Sequence, residues 1–314
     1  MNGLDRIRVL GLTVLMVALL TACSAGEETP PPSASATPDT TPSTGLSPPA
    51  TASPTPSASP SPREPQAGTY LALGDSLAVG VGATQPSETG YVARLHRALS
   101  ADDATPRVSV LSNLAVSGET STSMIRDGQL AEALEVIGGE APVALVTLDI
   151  GGNDLLRLLA TDACAADPMA ADCLQLLALT LADFETNYRQ ILEELSAGLA
   201  EHAPGSRLAV MTYFNPFSGT DTAHESAAEL ALLGTDASLD CEADDPRARG
   251  MNDIIACVAV QLGAMTADVK PAFDGLGLEL THIGSEDIHA NDRGYEVIAE
   301  AFLAAIDTAR RAAP

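Results

Sequence analysis

The sequence predicts a three-layer α/β/α domain with a central five-stranded parallel sheet. Five β-like stretches occur in the chain, helical patterns lie between them, and about 250 residues remain once a compositionally biased N-terminal segment is set aside. Strands that alternate with helices of this length favour a parallel sheet that is covered on both faces. About 250 residues are enough to build a sizeable core.

The predicted elements follow one another along the chain. The strands are Thr69–Leu73, Val108–Leu111, Val143–Ile150, Leu208–Tyr213 and a weaker one at Val269–Phe273. The helices have apolar positions that recur three and four residues apart, and they are Tyr91–Leu99, Ser123–Val136, Leu174–Glu201, Arg247–Ala267 and Asp292–Arg311. In open sheets of this kind, sites form beyond the carboxyl ends of the strands. The candidate motifs of this chain fall at those positions.

The N-terminus resembles a bacterial lipoprotein signal. Arg6 and Arg8 precede an apolar run from Val9 to Leu20, and the run is followed by small residues and Cys23. The resemblance implies a signal peptide over residues 1–22, cleavage before Cys23, and acylation of that cysteine. An uncleaved membrane helix is the alternative, but the run is shorter than the roughly 20 residues that span a bilayer. We expect the protein on the extracytoplasmic face of the cell membrane, or secreted if the anchor is not added.

Residues 23–67 are predicted to form a disordered linker after the lipidated cysteine. The segment consists mainly of Pro, Ser, Thr and Ala, so it buries too little apolar surface to offset the entropy of ordering. Extended polyproline stretches of about 3 Å per residue would let it hold the domain, residues 68–314, up to about 100 Å from a membrane.

Composition disfavours several classes of partner. The formal net charge of −26 makes contact with nucleic acid or an anionic lipid surface unfavourable. The chain has no Trp and only five Tyr and five Phe, so the aromatic platforms of a carbohydrate-binding module are hard to build. Membrane contact is therefore expected through the N-terminal anchor only, and a monomer is the default expectation.

Four further cysteines lie inside the domain, and an even number in an exported chain predicts disulfides. Three pairings are possible. The local pairing closes a short segment in each case and is favoured, namely Cys164 with Cys173 and Cys241 with Cys257. A four-cysteine metal site is the alternative, but no Cys-x-x-Cys spacing is present.

Four local motifs are candidates for chemistry, and each also has a purely structural explanation. Ser76 follows the first strand in Gly74-Asp75-Ser76-Leu77, where it can be a nucleophile or a helix N-cap. Gly118 follows the second strand, and Asn153 follows paired glycines after the third; both positions are also typical of turns. His289 precedes the last helix, beside the carboxylates of Glu286 and Asp287, where it can be a general base or a surface residue.

Together and in this order, the four motifs resemble the blocks of the SGNH, or GDSL, hydrolase family. The resemblance covers the domain from about Gly68 and implies a flavodoxin-like sheet and serine esterase or lipase activity. It implies that Ser76 is the nucleophile and His289 the base. It also implies an oxyanion hole formed by the backbone N–H groups of Ser76 and Gly118 and the Asn153 side chain. It implies no metal and no organic cofactor, although His282 and His289 are a conceivable metal pair.

The third member of the catalytic triad is ambiguous. The family usually carries an aspartate three residues before the histidine, and this chain has Glu286 there and Asp287 two before. Either carboxylate, or neither, is expected to orient the imidazole. The family's Pro after the histidine is here Ala290.

The substrate is expected to be a small or lipid-like ester. Five residues predict an apolar acyl pocket beside the serine, namely Leu155, Leu158, Leu159, Phe214 and Phe217. The alternative for the three leucines is that they form the core of a helix. An acyltransferase, a glycan or cell-wall deacetylase and a catalytically silent binding lipoprotein are the alternative functions.

Overall fold

The computed structural model describes residues 67–312 apart from 102, 221, 236–240 and 242–248. The predicted signal peptide, Cys23 and nearly all of the predicted linker lie outside the described residues. No helix within the described ranges is long and apolar enough to cross a bilayer.

A five-stranded, fully parallel sheet forms the centre of the domain, as predicted. Its strands are β1 (Gly68–Gly74), β2 (Val108–Asn113), β3 (Val143–Asp149), β4 (Arg207–Met211) and β5 (Met265–Ala267). They are arranged in the order β2-β1-β3-β4-β5. The interior strand β1, second in this order, is buried along its whole length, because helices cover both faces of the sheet.

The helices, numbered along the chain, include several single turns. They are α1 (Ser76–Val79), α2 (Pro86–Thr89), α3 (Tyr91–Leu99), α4 (Ser121–Arg126), α5 (Gln129–Ile137), α6 (Gly152–Leu159), α7 (Asp162–Ala166), α8 (Ala171–His202), α9 (Ala223–Leu233), α10 (Met251–Gln261), α11 (Lys270–Phe273), α12 (Gly277–Leu280) and α13 (Asp292–Ala312). In one layer α3 packs against α13, and in the other α4, α5, α6 and α10 pack around α8. The three-layer α/β/α prediction is therefore confirmed.

Two predicted elements near the C-terminus are wrong. The helix predicted over Arg247–Ala267 is α10, which ends at Gln261, because Gly263 adopts a left-handed φ of +71° that stops a helix. The last strand, β5, then occupies Met265–Ala267 instead of Val269–Phe273. The latter segment contains the helical turn α11, in which Pro271 suits the first turn because its missing N–H needs no partner there.

The single helix predicted over Ser123–Val136 is two helices, α4 and α5. Between them Gly128 has a φ of +109°, which a continuous right-handed helix does not allow. The break leaves Gln129 at the start of α5, directed toward the end of β1.

Both disulfides have the local pairing that the spacing favoured. Cys164 bonds Cys173, which joins α7 to the first turn of α8, and Cys241 bonds Cys257 in α10. Each therefore fastens a short connection to a long helix rather than linking distant parts of the sheet.

Candidate active site

Ser76 lies where the interior strand β1 turns into a helix. Gly74 has a φ of +137°, and a Cβ there would lie 2.3 Å from the carbonyl oxygen of Asp149 on the neighbouring strand β3. Only glycine therefore allows the chain to turn this close to β3. Asp75 is the N-cap of α1, because its Oδ1 accepts a hydrogen bond from the Leu77 N–H at 2.9 Å. Ser76 is not the cap, so its hydroxyl is available to another partner.

That partner is His289, which lies 213 residues further along the chain. The distance from His289 Nε2 to Ser76 Oγ is 2.9 Å, and His289 Nδ1 lies 2.6 Å from Asp287 Oδ1. The histidine is only 7% exposed. The hydrogen bond from the imidazole lowers the pKa of the Asp287 carboxyl, which therefore stays ionised. Serine, histidine and aspartate form an uninterrupted chain of contacts.

The structure selects Asp287 and contradicts the Glu286 alternative. Glu286 is exposed and adopts a left-handed φ of 64° at the end of a 3₁₀ turn. This conformation lets the next carboxylate fold back on its own loop, so that Asp287 Oδ1 also accepts the backbone N–H of His289 at 3.0 Å. The same bonds exclude the third alternative, an imidazole without an orienting carboxylate.

His282 supports this loop and does not pair with His289. Its Nε2 lies 2.8 Å from the carbonyl oxygen of Gly82, and its backbone N–H donates to the His289 carbonyl at 2.9 Å. Since the two imidazoles have separate partners and roles, the conceivable metal pair is not formed.

The predicted oxyanion residues Gly118 and Asn153 have local conformations that differ in what fixes them. Gly118 has a φ of +83°, and a Cβ added there meets nothing within 4 Å, so the backbone conformation and not crowding requires glycine. Asn153 lies in the first turn of α6, where its Nδ2 donates to the Glu119 carbonyl at 2.9 Å and to Asp75 Oδ2 at 3.3 Å. The bond to Asp75 is the longer of the two. The Asn153 amide is thus held beside Ser76 by two acceptors.

Asp75 and Asp149 form a buried pair of carboxyl groups that was not predicted from the sequence. Asp75 Oδ2 accepts the Tyr213 hydroxyl at 2.9 Å, and Asp149 Oδ1 accepts the Tyr91 hydroxyl. Burial raises the pKa of Asp75, against the hydrogen bonds from Leu77 and Tyr213. Burial and the nearby Asp75 raise the pKa of Asp149 well above its ordinary value, so Asp149 is the partner that holds a proton. The signal in the sequence was Asp149, an acidic residue within the apolar run of the predicted strand Val143–Ile150.

The side chain of Gln129, which was also not predicted as part of the site, holds the Gly118 loop against β1. Gln129 accepts the Gly74 N–H at 2.8 Å, and its Nε2 donates to the Gly74 carbonyl at 3.0 Å and to Glu119 Oε2 at 3.0 Å. Because Glu119 directly follows Gly118, these hydrogen bonds link the Gly118 loop to strand β1, which leads to Ser76.

An apolar cavity of about 130 Å³ opens beside Ser76 and His289. All five residues that predicted an acyl pocket line it: Leu155, Leu158, Leu159, Phe214 and Phe217. Its remaining walls come mainly from α9 and the start of α8. Leu158 also belongs to a small buried cluster with the Cys164–Cys173 disulfide, so the pocket and core interpretations are both correct for this residue.

Comparison with known proteins agrees with this geometry. The model of the GDSL-like lipase/acylhydrolase family matches residues 72–297. No curated protein sequence matches the chain significantly.

Solved structures share the fold over nearly their whole length. A lipase from a goat rumen metagenome is 23% identical with a TM-score of 0.55, and the match covers 76% of this chain and 96% of that one. An extracellular lipase from Streptomyces rimosus is 20% identical with a TM-score of 0.50, covering 76% and 100%. An acetylxylan esterase from Geobacillus stearothermophilus is 20% identical with a TM-score of 0.49, covering 76% and 94%. Since the matched family model spans most of the chain and includes Ser76 and His289, the protein belongs to the GDSL-like lipase/acylhydrolase family of hydrolases.

Proposed function

We propose that the protein is a serine carboxylic-ester hydrolase that acts through an acyl-enzyme on Ser76. The observation that carries the proposal is the contact chain Ser76–His289–Asp287 at the opening of an apolar cavity. A hydroxyl, a base and an orienting carboxylate in this arrangement are the parts that acyl transfer to serine requires.

In the first half-reaction His289 Nε2 takes the proton of Ser76 as Oγ attacks the ester carbonyl carbon. The tetrahedral intermediate then expels the alcohol, which receives the proton from His289, and leaves the acyl group on Ser76. In the second half-reaction His289 takes a proton from water, whose oxygen attacks the acyl carbon, and returns that proton to Ser76 as the acid departs. Asp287 stabilises the protonated imidazole in both halves.

The negative charge of each tetrahedral intermediate needs donors on the opposite side of the carbonyl. We assign this role to the backbone N–H groups of Ser76 and Gly118 and to the Asn153 amide. Asn153 would exchange its long bond to Asp75 for a bond to the oxyanion, a stronger acceptor in the transition state. Its other bond, to the Glu119 carbonyl, keeps the amide in place.

The cellular location is part of the proposal. The lipoprotein-like sequence that ends at Cys23 supports export and a lipid anchor, and the linker would place the domain away from the membrane surface. The two disulfides fit an oxidising, extracytoplasmic compartment.

Hydrolysis of p-nitrophenyl esters by the purified protein, beside Ser76→Ala, tests the activity. The wild-type protein should release p-nitrophenol and should be labelled by a fluorophosphonate, and both signals should disappear in the variant. The matched control is Ser226→Ala on the exposed side of α9, which should retain both. A folded wild-type protein that neither turns over any ester nor takes the label would contradict the proposal.

A further inference from the structure

We infer that the cavity beside Ser76 binds an unbranched, apolar acyl chain of medium length, about six to eight carbons, and that the alanines of α9 set this limit. The inference rests on the proposed esterase function and specifies its substrate.

The length of the cavity can be estimated from helix α6, whose residues line it. Its lining includes Asn153, in the first turn of this helix beside Ser76, and Leu159, the last residue of the helix. These two residues lie six positions apart, which corresponds to about 9 Å along a helix with a rise of about 1.5 Å per residue. Since each carbon of an extended chain advances roughly 1.25 Å, given bonds of about 1.5 Å and angles near 111°, this distance accommodates about seven carbons.

The volume of the cavity points to the lower end of this range, about six carbons. At about 130 Å³ it is slightly smaller than the roughly 150 Å³ apolar cavity that accommodates the six carbons of benzene. An acetyl group would leave most of this space empty, whereas a long fatty acyl chain would have to extend beyond it.

The chemistry of the described walls favours an apolar occupant. Among the residues that the structure describes, the polar side chains that line the cavity away from Ser76, His289, Asp75 and Asn153 are Tyr213 and His224. Tyr213 already donates to Asp75, and His224 stacks on Phe217 with ring centroids 5.5 Å apart. Burial lowers the pKa of His224, so the ring brings no charge into the cavity. A sugar hydroxyl would therefore find few partners here.

The wall of the cavity that includes Leu158 and Cys173 contains a disulfide. Leu158, Cys164 and Cys173 form a buried cluster at the C-terminal end of α6, and Leu177 of α8 packs on it. Pro168 and Cys173 line the cavity there. The Cys164–Cys173 bond limits how far this wall can yield to a longer chain.

Helix α9 forms the opposite wall, and its small residues create the space. Ala228 and Ala231 lie three positions apart, hence on one helical face, and both line the cavity. The helix is held in place from outside, because Glu229 accepts from Asn215 Nδ2 at 3.1 Å and from Lys270 Nζ at 2.7 Å. A leucine at either alanine would therefore project into the cavity instead of displacing the helix.

The test measures kcat/KM for p-nitrophenyl esters from acetate to palmitate with the purified full chain. For the wild-type protein we expect an increase of about fourfold per added methylene up to the hexanoate–octanoate range, and no further increase beyond it. Ala228→Leu should lower kcat/KM for octanoate about ten- to sixtyfold and change acetate less than about threefold. Ser226→Leu adds the same side chain on the exposed side of α9 and should behave as wild type.

The outcomes separate this inference from the proposed function. A wild-type protein that hydrolyses acetate as well as octanoate, or an Ala228→Leu variant that loses both equally while still folded, overturns the inference alone. Absence of turnover and of fluorophosphonate labelling overturns both. If Ala228→Leu does not fold, Ala231→Leu takes its place, and the wild-type chain-length profile is decisive without any variant.

Discussion

At the scale of single residues, the partner of His289 depends on one backbone conformation. Two adjacent carboxylates compete for the role, and the left-handed φ of Glu286 directs the second of them back toward the imidazole. A sequence pattern with the aspartate three positions before the histidine would have selected the wrong residue. The spacing of a triad in sequence is thus less constrained than its geometry in space.

Asp287→Asn should lower kcat by roughly 10³- to 10⁴-fold, because an amide cannot stabilise the imidazolium and favours the wrong tautomer. Glu286→Gln should stay within about twofold of the wild-type rate, since its exposed side chain does not contact the imidazole. Ester turnover by the two variants, with thermal unfolding to verify folding, checks the assignment. A large loss in Glu286→Gln and a small one in Asp287→Asn would reverse it.

Asp149 should make the stability of the fold decrease as pH rises. Its pKa is raised in the folded protein, so the folded state keeps a proton that the unfolded chain releases above about pH 4. The contribution of this group is therefore complete below the ordinary aspartate pKa and is lost as pH rises toward the raised value. Asp149→Asn retains an acceptor for Tyr91 and removes the titration.

Thermal unfolding at pH 4 and pH 8 measures this effect. We expect Asp149→Asn to gain stability relative to the wild-type protein as the pH increases from 4 to 8. Asp127→Asn, at an exposed carboxylate, is the matched control and should show little change. A difference between Asp149→Asn and wild type that is equal at both pH values would show that the carboxyl does not titrate as described.

At the scale of elements, the strands and long helices were largely predictable, and the breaks between them were not. The predictions for β1 to β4, α3, α8 and α13 were close because each has a sustained apolar period or a buried apolar run. The errors at β5, α10 and the α4–α5 junction share a cause. The apolar periodicity continues across Gly128, Gly263 and Pro271, although each of these residues interrupts a helix or a strand. A prediction based on periodicity therefore does not detect the interruption.

The α4–α5 break illustrates why an element boundary affects function. As one continuous helix, the segment would not present Gln129 at the start of a new helix, where it bonds both backbone groups of Gly74. The contact also includes Glu119, the neighbour of Gly118. An error of a few residues at this junction therefore conceals the contacts that hold the loop containing Gly118.

At the scale of the whole molecule, the charge and the proposed anchor act in opposite directions. The net charge of −26 repels the chain from anionic lipid, so a stable position at a membrane would depend on the acylated Cys23. The linker would separate the negatively charged domain from the lipid surface and thereby reduce that repulsion, which decays within about 10 Å at ordinary salt.

Cys23→Ala should release the protein from the membrane fraction of expressing bacteria and abolish incorporation of a labelled fatty acid. Its ester hydrolysis should equal that of the wild-type protein, since the proposed catalytic residues Ser76 and His289 contact each other far along the chain from Cys23. Ser24→Ala is the neighbouring control and should remain with the membrane. Equal membrane association of wild type and Cys23→Ala, without label in either, would contradict the lipid anchor.

The sequence by itself determined the fold class and the family, because these depend on periodic burial and on short motifs placed at strand ends. Only the tertiary structure decided which carboxylate faces His289, that Asp149 pairs with the buried Asp75, and that α6, α8 and α9 line an apolar cavity beside Ser76. The physical reason is that these features join residues far apart in the chain, or depend on one φ angle, and no local pattern of residue types encodes either.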